Sequence, residues 1–150
     1  MPVSGSALAT MLAVAAGLAG SVQVAVMSRL GERIGVTEAL GFSTLLTAVI
    51  AFVALLLVRR SAGGYERALH QPWWMLTGGV CGLLIVFTVT YAGTRIGITA
   101  TVGILIAGQL VMGAAIDRFG LFGSQRIGLP WERVVGIVLL ACGAALSLRK

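Results

Sequence analysis

The chain has 150 residues, of which 58% are hydrophobic and 11% are charged, and its mean hydropathy is +1.01. A water-soluble domain carries roughly a quarter charged residues, because its surface must face water. This composition therefore excludes an ordinary soluble globule and indicates a protein solvated by lipid. The net charge of +6 does not indicate nucleic-acid binding, because the arginines are scattered between apolar runs and form no basic stripe.

Long runs of apolar residues predict an all-α integral membrane protein with a single five-helix domain over residues 1–150. In chain order, the predicted transmembrane helices cover residues 6–28, 39–58, 73–92, 96–116 and 130–148. The first run is too long for a signal peptide and no basic residue precedes it, so we expect it to be a retained helix. The fifth run is the weakest, because only 15 residues, 134–148, are free of charge.

Residues at the ends of these runs support the predicted boundaries. Thr37 and Glu38 are typical of a helix N-cap followed by an acidic residue in the first turn. Pro72 and Pro130 each precede tryptophan, a residue that favours the membrane interface. In the second loop, the segment YERALH predicts a short interfacial helix.

The basic residues are divided almost evenly between the two sides of the predicted membrane domain. One side would hold Arg59, Arg60, Arg67, Arg118, Arg126 and Arg133, and the other Arg29, Arg33, Arg95, Arg149 and Lys150. An excess of basic residues normally marks the cytoplasmic side, so a balanced chain has little bias in orientation. Either the chain inserts in both orientations or other determinants decide. Insertion in both orientations would allow two copies to pair antiparallel, which creates the inverted repeat found in many transporters.

The chain resembles a known transporter family over nearly its whole length. The resemblance is carried by PWWMLTGGVCG, TRIGITATVGILIAGQLVMGAAIDRFG and VVGIVLLACGAAL, and by GLAGSVQVAVMSRLG in the first predicted helix. These segments are similar to the YdcZ-like family of the drug/metabolite transporter superfamily. The pattern GQL followed by Asp117 in the fourth helix is the most specific part.

This resemblance implies five transmembrane helices, an antiparallel ten-helix arrangement and transport of a small solute across a bacterial inner membrane. The antiparallel unit would be a dual-topology homodimer or a pair with an oppositely oriented paralogue. The last helix resembles the dimerising helix of small transporters in that superfamily. One departure lies in the second helix, where an Asn-Ser pair is expected and the chain has Ser43-Thr44.

Polar side chains inside predicted spans are the candidates for solute binding, because such groups are costly in a bilayer. Gln23 and Gln109 lie in otherwise apolar runs and can both donate and accept hydrogen bonds. Ser43 and Thr44 belong to a polar stripe on the second helix. The alternatives are interhelical hydrogen bonds for the glutamines and bonds to the helix's own carbonyls for the hydroxyls.

Glu38 and Asp117 are the acidic residues that adjoin the predicted spans, and they are the candidates for proton or ion coupling. Asp117 ends a helix, where the helix dipole disfavours an anion, so we expect it to pair with an arginine or face water. Neither lies at mid-membrane. The sequence predicts no metal site and no cofactor, because Glu66 and His70 in the second loop have no further ligands near them.

Glycines at helical spacing predict close helix packing or a dimer interface. Gly78 and Gly82 form a GxxxG motif, and Gly136 and Gly143 share one face of the fifth helix. Gly103 and Ala107 form a further pair of small residues.

Together these features predict a secondary transporter or facilitator for a small solute, acting in the lipid bilayer as an antiparallel dimer. Two alternatives are a membrane subunit that does not transport and a small dual-topology ion channel. An enzyme is not expected, because the predicted spans contain no set of nucleophile, base and acid.

Overall fold

The computed structural model describes residues 5–59 and 63–148, and in these residues every regular element is a helix. Arg60, Arg149 and Lys150, which enter the charge count, lie outside the described residues. The six α-helices are α1 (Gly5–Ile34), α2 (Val36–Arg59), α3 (Gly63–Leu69), α4 (Trp73–Ile96), α5 (Ile98–Phe119) and α6 (Trp131–Leu146), and a 3-10 turn at Leu121–Gly123 follows α5.

Four of these helices, α1, α2, α4 and α5, are long and apolar enough to cross a membrane. The fifth predicted span is not confirmed, although a helix does form there. It has 16 residues, which rise about 24 Å against roughly 30 Å of hydrocarbon. Pro130 has an extended backbone conformation before the helix, and the helix ends at Leu146. The single five-helix domain stays a prediction.

The helix α1 continues beyond its predicted end at Ser28 and reaches Ile34. The prediction stopped at the first charged residue, but charge marks the edge of the hydrocarbon and not the end of a helix. Arg29 Nη1 and Glu32 Oε2 lie 3.0 Å apart at i, i+3 spacing, which is compatible with a continuous helix.

Two glycines separate consecutive helices without an intervening loop. Gly35 has φ +98° between α1 and α2, and Gly97 has φ +83° between α4 and α5. Residues with side chains rarely adopt this backbone region, so glycine allows the chain to leave one helix and begin the next at once. The helix α2 therefore starts at Val36, and Thr37 lies inside its first turn rather than preceding it. Glu38 is in that first turn, as expected.

The chain divides into two compact units, and the first to consider is Val26–Thr94. Its buried residues come from the end of α1, the start of α2 and the end of α4, and are Met27, Ser28, Gly31, Ala39, Val89, Thr90 and Gly93. The helices α1 and α4 approach closely at Gly31, where an added Cβ would lie 2.8 Å from Thr90 Cγ2. Ser28 Oγ also donates a 3.4 Å hydrogen bond to the carbonyl of Val89.

The other unit comprises Met1–Ala25 and Arg95–Lys150, and its packing joins α5 to α6. Gly103 faces Ala144, since an added Cβ on Gly103 would lie 3.4 Å from Ala144 Cα and Cβ. Ala100, Thr101 and Ala144 are buried. The expectation that Gly103 belongs to a small-residue helix contact is confirmed at this position.

Candidate solute site

The polar stripe predicted on the second helix lines an open groove of about 550 Å³ in the Val26–Thr94 unit. Ser43, Thr44 and Thr47 contribute the hydroxyl groups from α2. The facing wall is α4, which contributes Gly79, Gly82 and apolar residues such as Val86. None of the described residues that line the groove is charged.

The three hydroxyls differ in how their hydrogen bonds are satisfied. Thr47 Oγ1 donates to the carbonyl oxygen of Ser43 at 2.9 Å, so it is bonded to its own helix. Among the described residues, no side-chain hydrogen bond engages Ser43 Oγ or Thr44 Oγ1. Ser43 is half-buried and Thr44 is exposed. These two hydroxyls are therefore available to a molecule in the groove.

Glycines on α4 make the groove wide. Gly79 and Gly82 line it, and a Cβ added at either residue would meet no described atom within 4 Å. Gly78 is equally open. Sequence reasoning missed Gly79 because it followed the GxxxG spacing of Gly78 and Gly82. The adjacent pair Gly78-Gly79 could have predicted this wall of the groove, since two consecutive glycines leave a broader part of the helix surface without side chains.

The predicted site glutamines do not line this groove. Gln23 on α1 and Gln109 on α5 are both exposed in the chain as described. Within the described residues, neither amide takes part in a side-chain hydrogen bond. Of the predicted solute-binding residues, Ser43 and Thr44 line the groove, and the role of the two glutamines stays a prediction.

The two acidic candidates have different surroundings. Glu38 is exposed in the first turn of α2. Asp117, near the end of α5, pairs with Arg133 in the first turns of α6, with 3.0 Å between Oδ2 and Nη1. The expectation that Asp117 pairs with an arginine is confirmed. Both side chains remain partly exposed, at 34% for Asp117 and 44% for Arg133.

The two glycines predicted on the fifth helix are not packed against the rest of the described chain. A Cβ added at Gly136 or Gly143 would meet no described atom within 4 Å. Gly143 lines a second groove of about 350 Å³ between α5 and α6. Their role at a dimer interface stays a prediction. No group of acidic, histidine or cysteine side chains in the described residues could hold a metal ion.

Comparison with known proteins identifies the family. A family model described as "Putative inner membrane exporter, YdcZ" matches residues 8–146. The chain belongs to the YdcZ family. It is also 28% identical over 138 residues to the inner membrane protein YdcZ of Escherichia coli (strain K12), covering 91% of this chain and 92% of that relative. No solved structure matches the chain.

Membership of this family confirms the resemblance seen in the sequence. The YdcZ-family chain is a multi-pass protein of the bacterial inner membrane, with at least four helices suited to crossing the bilayer. The description of the family is that of an inner membrane exporter and names no enzymatic reaction. The hydroxyl-lined groove is consequently a feature of two helices, α2 and α4, that both have the length and apolarity of a membrane span.

Proposed function

We propose that this YdcZ-family chain is a small-solute secondary transporter or facilitator, and that the groove between α2 and α4 forms its share of the solute pathway. The observation that carries the proposal is the groove itself, where Ser43 and Thr44 present hydroxyls that are not bonded to the described chain. Hydroxyls and small residues in apolar surroundings are typical of a site that recognises a small molecule.

The lining of the groove favours an uncharged or amphipathic solute. A charged solute taken out of water needs an opposite charge or several hydrogen bonds, because burying an unpaired charge is costly. The described residues of the groove offer hydroxyls and apolar surface but no charged side chain. Glu38 and Asp117 stay candidates for ion coupling outside the groove.

An antiparallel dimer would complete the pathway. The partner would be either a second copy of this chain or an oppositely oriented paralogue. If α6 is the fifth span, the basic residues divide six to five between the two sides, which leaves little bias in orientation and permits insertion in both orientations. Gln23 and Gln109 are exposed on helices that cross the membrane, and an amide facing lipid is unfavourable. A second copy would supply a protein surface or a wet pathway for these amides, and would cover the open glycines Gly136 and Gly143.

Cysteine labelling tests whether the groove is a solvated pathway without knowledge of the solute. In a background with Cys81 and Cys142 replaced by serine, Thr44→Cys is reconstituted in vesicles and treated with N-ethylmaleimide, which reacts with thiols in contact with water. Leu45→Cys is the matched control, because Leu45 is exposed at the same depth but does not line the groove. We expect Thr44→Cys to react at least tenfold faster. Equal rates would refute the solute pathway.

A measurement of the orientation of the chain in the membrane tests the proposed antiparallel dimer separately. Two reporters fused to the C-terminus, one active only in the cytoplasm and one only outside it, are quantified in the same host. Substantial activity of both supports the dual-topology homodimer. Activity of one reporter alone would refute the homodimer and leave the oppositely oriented paralogue as the partner to find.

A further inference from the structure

A third groove, distinct from the solute site, lies between the end of α5 and the start of α6. It has a volume of about 350 Å³ and lies within the unit that contains both helices. One wall carries Val111, Ala115 and Arg118, which share a face of α5 by their spacing of four and seven residues. Val134 and Val138 form the facing wall on α6.

The groove has a polar end and an apolar end. Among the described residues that line it, Arg118 alone is charged, and it lies in the last turn of α5. From Arg118 to Val111 the groove extends along seven residues of helix, or about 10 Å. Since α5 has the length and apolarity of a membrane span, this direction leads from the headgroup region into the hydrocarbon.

The charge of Arg118 is not neutralised by the described chain. In residues 5–59 and 63–148, Arg118 takes part in no ion pair, whereas Arg133 pairs with Asp117 and Arg29 with Glu32. The nearest acidic side chain in sequence, Asp117, is therefore already engaged. Arg118 is exposed, so its guanidinium can reach an anion at the mouth of the groove.

Trp131 indicates that the Arg118 end of the groove lies at the membrane–water interface. It begins α6, is 71% exposed, and precedes the groove residue Val134 by one helical turn on the same face. Tryptophan rings favour the headgroup level of a bilayer. A cation and an aromatic ring at this level, above an apolar groove, match the chemistry of a lipid with an anionic headgroup.

We propose that this groove binds an anionic phospholipid, with the phosphate on Arg118 and the start of one acyl chain along Val111, Ala115, Val134 and Val138. The acyl chain occupies the groove between α5 and α6, which would otherwise be a gap in the packing. One arginine near the membrane surface corresponds to about a fivefold preference for an anionic over a zwitterionic lipid. This site does not depend on the proposed transport function.

Quenching of Trp131 by brominated lipid measures the proposed binding. The full chain carrying Trp73→Phe and Trp74→Phe is reconstituted in phosphatidylcholine vesicles, with acyl-brominated phosphatidylglycerol or acyl-brominated phosphatidylcholine added in small fractions. We expect half-maximal quenching at about a fivefold lower fraction of the anionic lipid. Arg118→Gln should abolish this preference while leaving quenching by phosphatidylcholine unchanged.

The matched control is Arg126→Gln. Arg126 is exposed and packs against Gly120 rather than lining the groove. Retention of the preference in Arg126→Gln supports a specific site at Arg118. An equal loss in both variants would refute the proposal, because general surface charge would explain it. Loss of the preference on adding millimolar glycerol phosphate would also refute it, since the site would then take a soluble anion rather than a lipid.

Discussion

Replacing Gly31 by alanine tests how closely α1 and α4 pack in the Val26–Thr94 unit. The new Cβ would lie 2.8 Å from Thr90 Cγ2, closer than two carbon atoms can approach without displacement. Thr90 is completely buried, and its Oγ1 donates a 2.7 Å hydrogen bond to the carbonyl of Val86. The methyl group therefore cannot rotate away without losing this bond, and the two helices must separate instead.

The expected loss of stability follows from two opposing effects. Inserting a methyl group into a packed contact costs about 1–3 kcal/mol. Alanine gains up to about 1 kcal/mol over glycine in helix propensity, which offsets part of that cost. We expect the free energy of unfolding to fall by about 1–2 kcal/mol. Gly17→Ala is the control, because it lies in the same helix and a Cβ there meets no described atom within 4 Å.

The assay is a titration of the detergent-solubilised protein with sodium dodecyl sulfate, followed by circular dichroism. Thr90→Ser removes Cγ2 and keeps the hydroxyl, so it should relieve the clash with Ala at position 31. In the double-mutant cycle we expect a favourable coupling of about 1 kcal/mol. The reasoning is refuted if Gly31→Ala is as stable as Gly17→Ala, or if Thr90→Ser leaves the cost of Gly31→Ala unchanged.

Two further predictions concern the ion pair and the intramembrane amide. Asp117→Asn should lower the free energy of unfolding by roughly 0.5 kcal/mol at low salt, because the pair with Arg133 is partly exposed and screened. The same titration in high salt should show a smaller loss, and a loss independent of salt would contradict an electrostatic origin. Gln109→Ala should abolish protein-dependent solute flux into vesicles while cross-linking still detects the dimer, and normal flux would remove Gln109 from the site.

Composition and hydropathy were sufficient to predict the membrane environment and four helices of spanning length, whereas the fifth predicted span is not confirmed. A chain with so few charges cannot cover itself with a polar surface, and its four longest apolar runs are helices of spanning length. The helix ends were less predictable. Arg29 and Glu32 lie within α1 because a helix can extend past the hydrocarbon and pair its charges along its own surface.

The hydroxyl stripe on α2 could be read from the sequence, but its groove could not. Thr47 follows Ser43 by four residues and Thr44 by three, a helical spacing that is visible in one segment. The opposite wall comes from Gly79 and Gly82, which lie far along the chain. Which segments face each other depends on the path of the chain through Gly35 and the later turns. For the same reason, the sequence could not predict that the arginine that pairs with Asp117 is Arg133.

The sequence by itself determined the membrane environment, the helical class and the polar candidates, because these follow from composition and local periodicity. Only the tertiary structure decided which small residues are in close contact. Gly31 and Gly103 approach neighbouring helices, whereas Gly78 and Gly136 have open space beside them in the described chain. Small-residue spacing shows that two positions share a helix face, but whether another helix lies against that face is a property of three-dimensional packing.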